Sequence, residues 1–293
     1  MDKKILILSV AGLSLEISAG REEYSFDYSP CHLKFLKDHE SFDHSNSPPN
    51  RLYLELEDTP ISPQSELTRL QCQNEIWELW RDKRENFVFT QPKQEPQRWV
   101  FIEPEFERGK IVGDFNAHQG SFEFPLQYLD IVIYSNWLAK YSDLILHASG
   151  FALQGEGYCF LGDSGVGKST LVRDLAKHED LTVLGEDQIV LRKIDQKFMV
   201  FGTPWHETAK MCSPMGVPLK KVFFLNRQAA LPLTSLSGDE AVVRILQTAF
   251  YPIYRPEVIG GIIARLGELP GKAGFFELAY ERGTDVLSEI LNA

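Results

Sequence analysis

The chain of 293 residues lacks any apolar run long enough to span a bilayer; its longest strongly apolar stretches are Ile5–Val10 and Ile131–Tyr134. It also lacks a basic surplus. Thirty Lys and Arg stand against 41 Asp and Glu, a formal charge of −11 with a pI near 5.2. That balance argues against a nucleic-acid or anionic-membrane partner, since either needs a broad positive face. It leaves room for a nucleotide, because one local cluster of donors is enough. Cysteine is scarce: Cys31, Cys72, Cys159 and Cys212 stand far apart, with no paired metal-ligand spacing. The natural expectation is a reduced, cytoplasmic protein. His32, His39 and His44 also lack regular ligand spacing. No internal repeat or low-complexity tract is present. Residues 1–12 superficially resemble a signal peptide, but Leu13–Glu16 and Arg21–Glu23 leave a poor cleavage region, and the segment is read as a first strand.

Hydrophobic residues make up 43% of the chain and charged residues 24%, which gives ample material for a core in one large domain or two modest ones. The texture changes near Pro125. Before it lie short extended segments: Lys4–Val10, Leu13–Ile17, Tyr24–Phe26, Leu52–Leu56, Arg98–Ile102 and Lys110–Phe115. Leu52-Tyr53-Leu54-Glu55-Leu56 alternates apolar and polar residues, as a sheet with one wet face requires. Residues 38–51, rich in Ser, Asn, His and Pro, are predicted to form a mobile loop. Glu75–Arg84 fits a short helix, although Trp77 and Trp80 also suit a strand. This first region is expected to supply substrate recognition or a contact between copies in a homo-oligomer.

After Pro125, Leu126–Tyr141 has the apolar spacing of a buried helix. Leu144–Leu153 is predicted as one strand, Gln154–Gly157 as a turn and Tyr158–Leu161 as the returning strand of a hairpin. A helix is expected over Leu171–Lys177, and strands over Leu181–Leu184, Gln188–Leu191, Lys221–Leu225 and Phe275–Tyr280. Two further helices are expected, near Ala241–Phe250 and Thr284–Leu291.

The strongest signal is Gly162-Asp163-Ser164-Gly165-Val166-Gly167-Lys168-Ser169-Thr170, which satisfies G-x-x-x-x-G-K-[ST] at every fixed position between a strand and a helix. Its glycines let successive N–H groups converge on phosphate oxygens, and the following helix adds the partial positive charge of its N-terminus. A chance match in a chain this long is of order one per cent, given glycine at about 7%. Lys168 is expected to reach the outer phosphates and Ser169 to ligate magnesium.

Phosphoryl transfer also needs a carboxylate. Glu186 and Asp187 follow the apolar run Leu181–Leu184, where a strand end would deliver them toward the phosphates. One would serve as metal ligand and the other as base; an ordinary solvated turn is the alternative. His147 is placed on the strand pairing with the one that feeds the loop, where it either assists catalysis or is a satisfied boundary residue. In Gly202-Thr203-Pro204-Trp205-His206-Glu207, His206 and Glu207 either touch substrate or metal, or belong to a structural turn around a buried Trp205. Lys220 and Lys221 are read as a solvated edge, and Arg255 and Arg265 as weak candidates for phosphate contact.

Together His147-Ala148-Ser149-Gly150, Gly162–Thr170, Leu184-Gly185-Glu186-Asp187 and Gly202–Glu207 resemble the catalytic domain of the HPr serine kinase/phosphorylase family, and most of all its kinase-like relatives with a different N-terminal domain. The resemblance spans roughly residues 126–291. It implies a fold related to phosphoenolpyruvate carboxykinase and transfer of phosphate from magnesium-bound ATP to a serine-type hydroxyl. It further implies phosphate and metal contacts by Lys168 and Ser169, assistance by His147, and a base and a metal contact from Glu186 and Asp187. Glu186 stands where that family usually carries aspartate, Thr170 where the bifunctional enzymes commonly carry glutamate, and their downstream glycine-rich signature is missing. These differences point to an acceptor other than HPr.

The resulting expectation is an α/β chain with a β-rich N-terminal domain over 1–125 and, over 126–293, a phosphoenolpyruvate-carboxykinase-like P-loop kinase core of mixed sheet with flanking helices. Its reaction would be an ATP- and magnesium-dependent transfer to a hydroxyl-bearing peptide, protein or small molecule. An ATP-binding switch or hydrolase that regulates a partner, and a degenerate nucleotide-binding scaffold, are the competing readings.

Overall fold

The computed structural model describes residues 4–20, 26–38, 50–59, 67–73, 76–93, 97–115, 122–123, 126, 128–205, 211–227, 233–280 and 286–293. The chain separates into two compact units, Met1–Tyr134 and Ser135–Ala293, and the division falls within helix α2. Both units are built around large mixed sheets with few helices.

The first unit contains β1 (Lys4–Val10), β2 (Leu13–Ala19), β3 (Phe26–Asp27), α1 (Pro30–Phe35), β4 (Leu36–Lys37), β5 (Arg51–Asp58), β6 (Thr68–Gln73), β7 (Trp77–Arg81), β8 (Phe87–Thr90), β9 (Trp99–Ile102), β10 (Arg108–Gly113) and β11 (Phe122–Glu123). Nine of these strands form one sheet in the order β4-β1-β2-β5-β10-β9-β8-β7-β6. Along β5 the period of two puts Leu52, Leu54 and Leu56 in the core, while Tyr53, Glu55 and Glu57 face the other way. Within the expected 75–84 helix, Trp77–Arg81 is the strand β7, and Glu75 lies outside the described residues. Trp77 and Leu79 are buried on one face, and Glu78, on the other, pairs with Arg69 of β6 at 2.6 Å. The period of two wins because β6 and β8 flank β7 on both sides. Most of the 38–51 loop, together with Tyr24, His39 and His44, falls outside the described residues.

From α2 (Leu129–Lys140) onward come β12 (Leu144–His147), β13 (Ser149–Leu153), β14 (Glu156–Leu161), α3 (Lys168–Leu175), β15 (Leu181–Gly185), β16 (Gln188–Ile194), β17 (Lys197–Gly202), β18 (Gly216–Leu225), β19 (Leu233–Ser235), α4 (Gly238–Thr248), β20 (Ala249–Phe250), α5 (Pro256–Gly267), β21 (Gly274–Leu278) and α6 (Leu287–Asn292). The sheet runs β15-β13-β14-β18-β17-β16-β12-β20, with β21 joined to β18 and β19 joined to β21. β14, β18 and β21 run parallel, so the chain leaves all three at the same edge. Two apolar clusters hold the unit together. One surrounds Leu161, Leu184, Ile189 and Phe224; the other joins Phe151, Phe160, Phe223 and Leu278 to Leu171, Val172 and Leu175 of α3.

Three expectations are corrected. Leu144–Leu153 is not one strand: it breaks at Ala148, whose N–H donates to Asp187 O at 2.9 Å. As a result β12, which carries His147, pairs with β16 and β20, and it is β13 that pairs with β14. The helix near Ala241–Phe250 stops at Thr248, and Ala249–Phe250 pairs with β12. Lys221 is also no solvated edge. It is buried, and its ammonium caps α6 through Ile290 O at 3.0 Å and Leu291 O at 2.9 Å, while exposed Lys220 pairs with half-buried Glu156. Among the described residues no helix is long and apolar enough to cross a membrane.

Candidate functional site

The glycine-rich loop leaves β14 at Leu161 and enters α3 at Lys168. Gly162, Gly165 and Gly167 take φ of 140°, 78° and 117°, values that side chains strongly disfavour. At Gly162 there is no room either, since a β-carbon would stand 2.9 Å from Leu225 O. Lys168 is only 4% exposed, and its Nζ donates to Gly162 O at 2.8 Å and Asp163 O at 3.1 Å. Burial pulls its pKa down, partly offset by the charges of Asp187 and Asp163. Ser169 donates to Glu186 O at 2.8 Å, which ties the first turn of α3 to the acidic turn between β15 and β16.

That turn sits where two strand pairs change partners. His147 is in register with Gln188, Gly150 with Gly185, and the intervening Ala148 and Ser149 hold the turn. Ala148 N–H goes to Asp187 O, and Ser149 Oγ donates to Glu186 O at 2.5 Å. The two acidic side chains then part company. Asp187 is 35% exposed and lies 3.3 Å from His147 Nδ1, itself 43% exposed. Burial, and then the Lys168 charge, lower the His147 pKa; Asp187 works against both. The surroundings thus favour the neutral imidazole. Glu186 is 1% exposed, and one carboxylate oxygen takes both Nε (2.7 Å) and Nη2 of Arg173, from α3. Its other oxygen is buried without a hydrogen-bond partner among the described residues.

Removing one member of a buried ion pair strands the other charge. Such losses reach about 3–5 kcal/mol, but Arg173 is half in water, so roughly 2 kcal/mol is expected for Arg173→Ala. Urea unfolding at neutral pH measures this directly; an unshifted midpoint would mean that Arg173 does not hold the turn.

Sequence reasoning missed Arg173, Ser149 and Arg227. Arg173 was accessible in principle, four residues beyond Ser169 and so on the same helix face. Arg227 was not, because nothing in the local sequence reveals that β18 runs beside β14. Arg227 Nε donates to Val166 O and its Nη2 to Gly165 O, both at 3.0 Å. Arg255 and Arg265 serve elsewhere: Arg255 reaches Asn136 O and Glu257, and Arg265 lies 3.7 Å from Asp143. Thr203 donates to Gln188 O at 2.8 Å and Trp205 is buried, so the described part of that string packs against the start of β16. His206 and Glu207 lie outside the described residues.

No protein-family profile and no curated protein matches the chain. Among solved structures, an HPr(Ser) kinase/phosphatase from Coxiella burnetii is similar over 50% of this chain and 86% of its own, at 11% identity and a TM-score of 0.32. A likeness that distant carries no functional argument, and the function has to be read from the site.

The donors present suit magnesium. The Ser169 hydroxyl and the Asp187 carboxylate are hard oxygen ligands. Among the described residues no cluster of three His, Cys, Asp or Glu side chains could cage an ion unaided. Magnesium is commonly held by one or two carboxylates together with substrate phosphates, so this sparse set fits an ion that arrives with a nucleotide.

Proposed function

We propose that the chain is an ATP- and magnesium-dependent phosphotransferase, acting on a serine-type hydroxyl of a peptide, protein or small molecule, with a core related to phosphoenolpyruvate carboxykinase. The observation that carries this reading is the convergence of the Gly162–Thr170 loop, Lys168 and the His147–Asp187 pair on one acidic turn. A phosphate loop alone serves switches and hydrolases as well. A half-exposed carboxylate beside it, flanked by an imidazole at 3.3 Å, is what an incoming hydroxyl needs.

In the proposed step the acceptor hydroxyl gives its proton to the Asp187 carboxylate. Its oxygen bonds to the γ-phosphorus, the bond from phosphorus to the β–γ bridging oxygen breaks, and ADP leaves. His147 holds the Asp187 carboxylate in place through the 3.3 Å contact. Lys168 exchanges its loop carbonyls for phosphate oxygens and opposes their charge. Magnesium, when bound with Ser169 and Asp187, neutralises phosphate charge. Glu186, sequestered by Arg173, fixes the turn and leaves the base role to Asp187. His206 and Glu207 are retained as candidates for acceptor contact.

The reading is tested by incubating the full chain with γ-labelled ATP, magnesium and serine-containing peptides or lysate. Label is expected on an acceptor hydroxyl, stable to acid and released by alkali or phosphatase. Nucleotide binding with only free phosphate released would assign the chain to the switch or hydrolase class instead.

A further inference from the structure

Four carbonyls of the loop are shared between two cations, and only one of these belongs to the glycine-rich motif. Lys168 takes Gly162 O and Asp163 O; Arg227 takes Gly165 O and Val166 O. Arg227 stands two residues past β18, whose parallel run beside β14 brings it to the loop's edge. A trans peptide group is planar, with its carbonyl and the next residue's N–H pointing in opposite directions. Drawing Gly165 O and Val166 O toward Arg227 therefore aims the N–H groups of Val166 and Gly167 away from it. Val166 N–H makes a 3.3 Å contact with Asp163 O inside the loop. The positive φ of Gly165 and Gly167 lets both carbonyls splay to one side. The direction a side chain at 167 would take leads to the Tyr280 ring at 3.5 Å and Arg227 Nη2 at 3.8 Å, so these two line the outer wall of the loop. Tyr280 itself is anchored to α3 through Asp174 at 2.9 Å.

We infer that Arg227 is a positioning residue for polyphosphate binding: by gripping two carbonyls from outside, it presets the Gly167 amide toward the phosphates, while the Val166 amide is held on Asp163 O within the loop. This rests on reading the loop as a nucleoside polyphosphate site. The guanidinium is suited to the task because its fixed fork spans both carbonyls at once, which an ammonium cannot do. A side chain that instead met phosphate as a point charge would tolerate lysine. One that braces the backbone would not.

The test measures magnesium–ATP affinity by titration of the full-length protein and its Arg227→Ala, Arg227→Lys and Lys168→Ala variants. Arg227→Ala and Arg227→Lys are both expected to weaken binding about tenfold, the worth of roughly one charge-assisted hydrogen bond. The acceptor KM and kcat at saturating nucleotide should stay near wild type, a split that general loss of folding would not produce. Arg227→Lys binding like wild type while Arg227→Ala binds weakly would overturn bracing in favour of a simple charge. Both variants binding like wild type would remove any role for Arg227. If Lys168→Ala also binds like wild type, or if the wild type does not bind, the polyphosphate reading itself fails.

Discussion

Asp187→Asn is expected to keep nucleotide bound through the loop and Lys168, more weakly with magnesium for want of one metal contact, and to lower phosphoryl transfer by about a thousandfold at saturating nucleotide, within the range that a positioned general base contributes. The substitution keeps the size and one acceptor oxygen of the side chain, so the turn held by Ala148 N–H and Ser149 should survive. It removes the group that takes the hydroxyl proton. Charge at this point matters twice, because Asp187 also works against the lowering of the Lys168 and His147 pKa values by their surroundings. Single-turnover transfer, measured beside nucleotide affinity, separates the two effects. A loss below tenfold in the transfer step would place the base elsewhere.

Gly202→Ala is expected to cost about 3 kcal/mol or more of stability, at the upper end for overpacking in a rigid interior. A β-carbon there would stand 2.0 Å from Ser213 O and 2.3 Å from Leu184 O. Both are backbone atoms, fixed by the bonds Ser213 N–H to Leu184 O and Gly202 N–H to Met215 O. Neither can swing aside as a flexible side chain would. Any relief must displace Leu184 and Gly185, which lead directly into Glu186 and Asp187, so nucleotide-dependent activity should fall along with stability. Gly260→Ala is the matched control. It lies inside α5 with nothing within 4 Å of the new carbon, and a gain of about 0.5–1 kcal/mol is expected. Urea midpoints that move together for the two variants would contradict the packing described for Gly202.

The features legible in the sequence are those whose physics is local. The Gly162–Ser169 spacing, the strand before it and the helix after it are one contiguous instruction, and the acidic turn at 186–187 follows within one more helix and strand. Strand alternation likewise located β1, β2, β5 and β10 to within a few residues. What escaped depends on distant pairing. The break at Ala148 cannot be seen in the apolar run Leu144–Leu153, because it is set by Asp187 O accepting from Ala148 across the sheet. For the same reason local sequence places His147 beside the wrong strand, yet still near the loop. Glu186 and Asp187 looked equivalent as adjacent carboxylates. Only the place of Arg173 on α3 shows that one is sequestered and the other faces His147. Trp77 and Trp80 left helix and strand open because a short amphipathic run supports either period until its neighbours are known.

The most direct test of the central claim, that the Gly162–Thr170 loop grips a polyphosphate, is calorimetric titration of the full chain with magnesium–ATP, paired with Lys168→Ala. One-to-one binding is expected, weakened at least about tenfold when the buried ammonium is removed. Absence of heat across a wide range of nucleotide concentration, or equal affinity in Lys168→Ala, would contradict it.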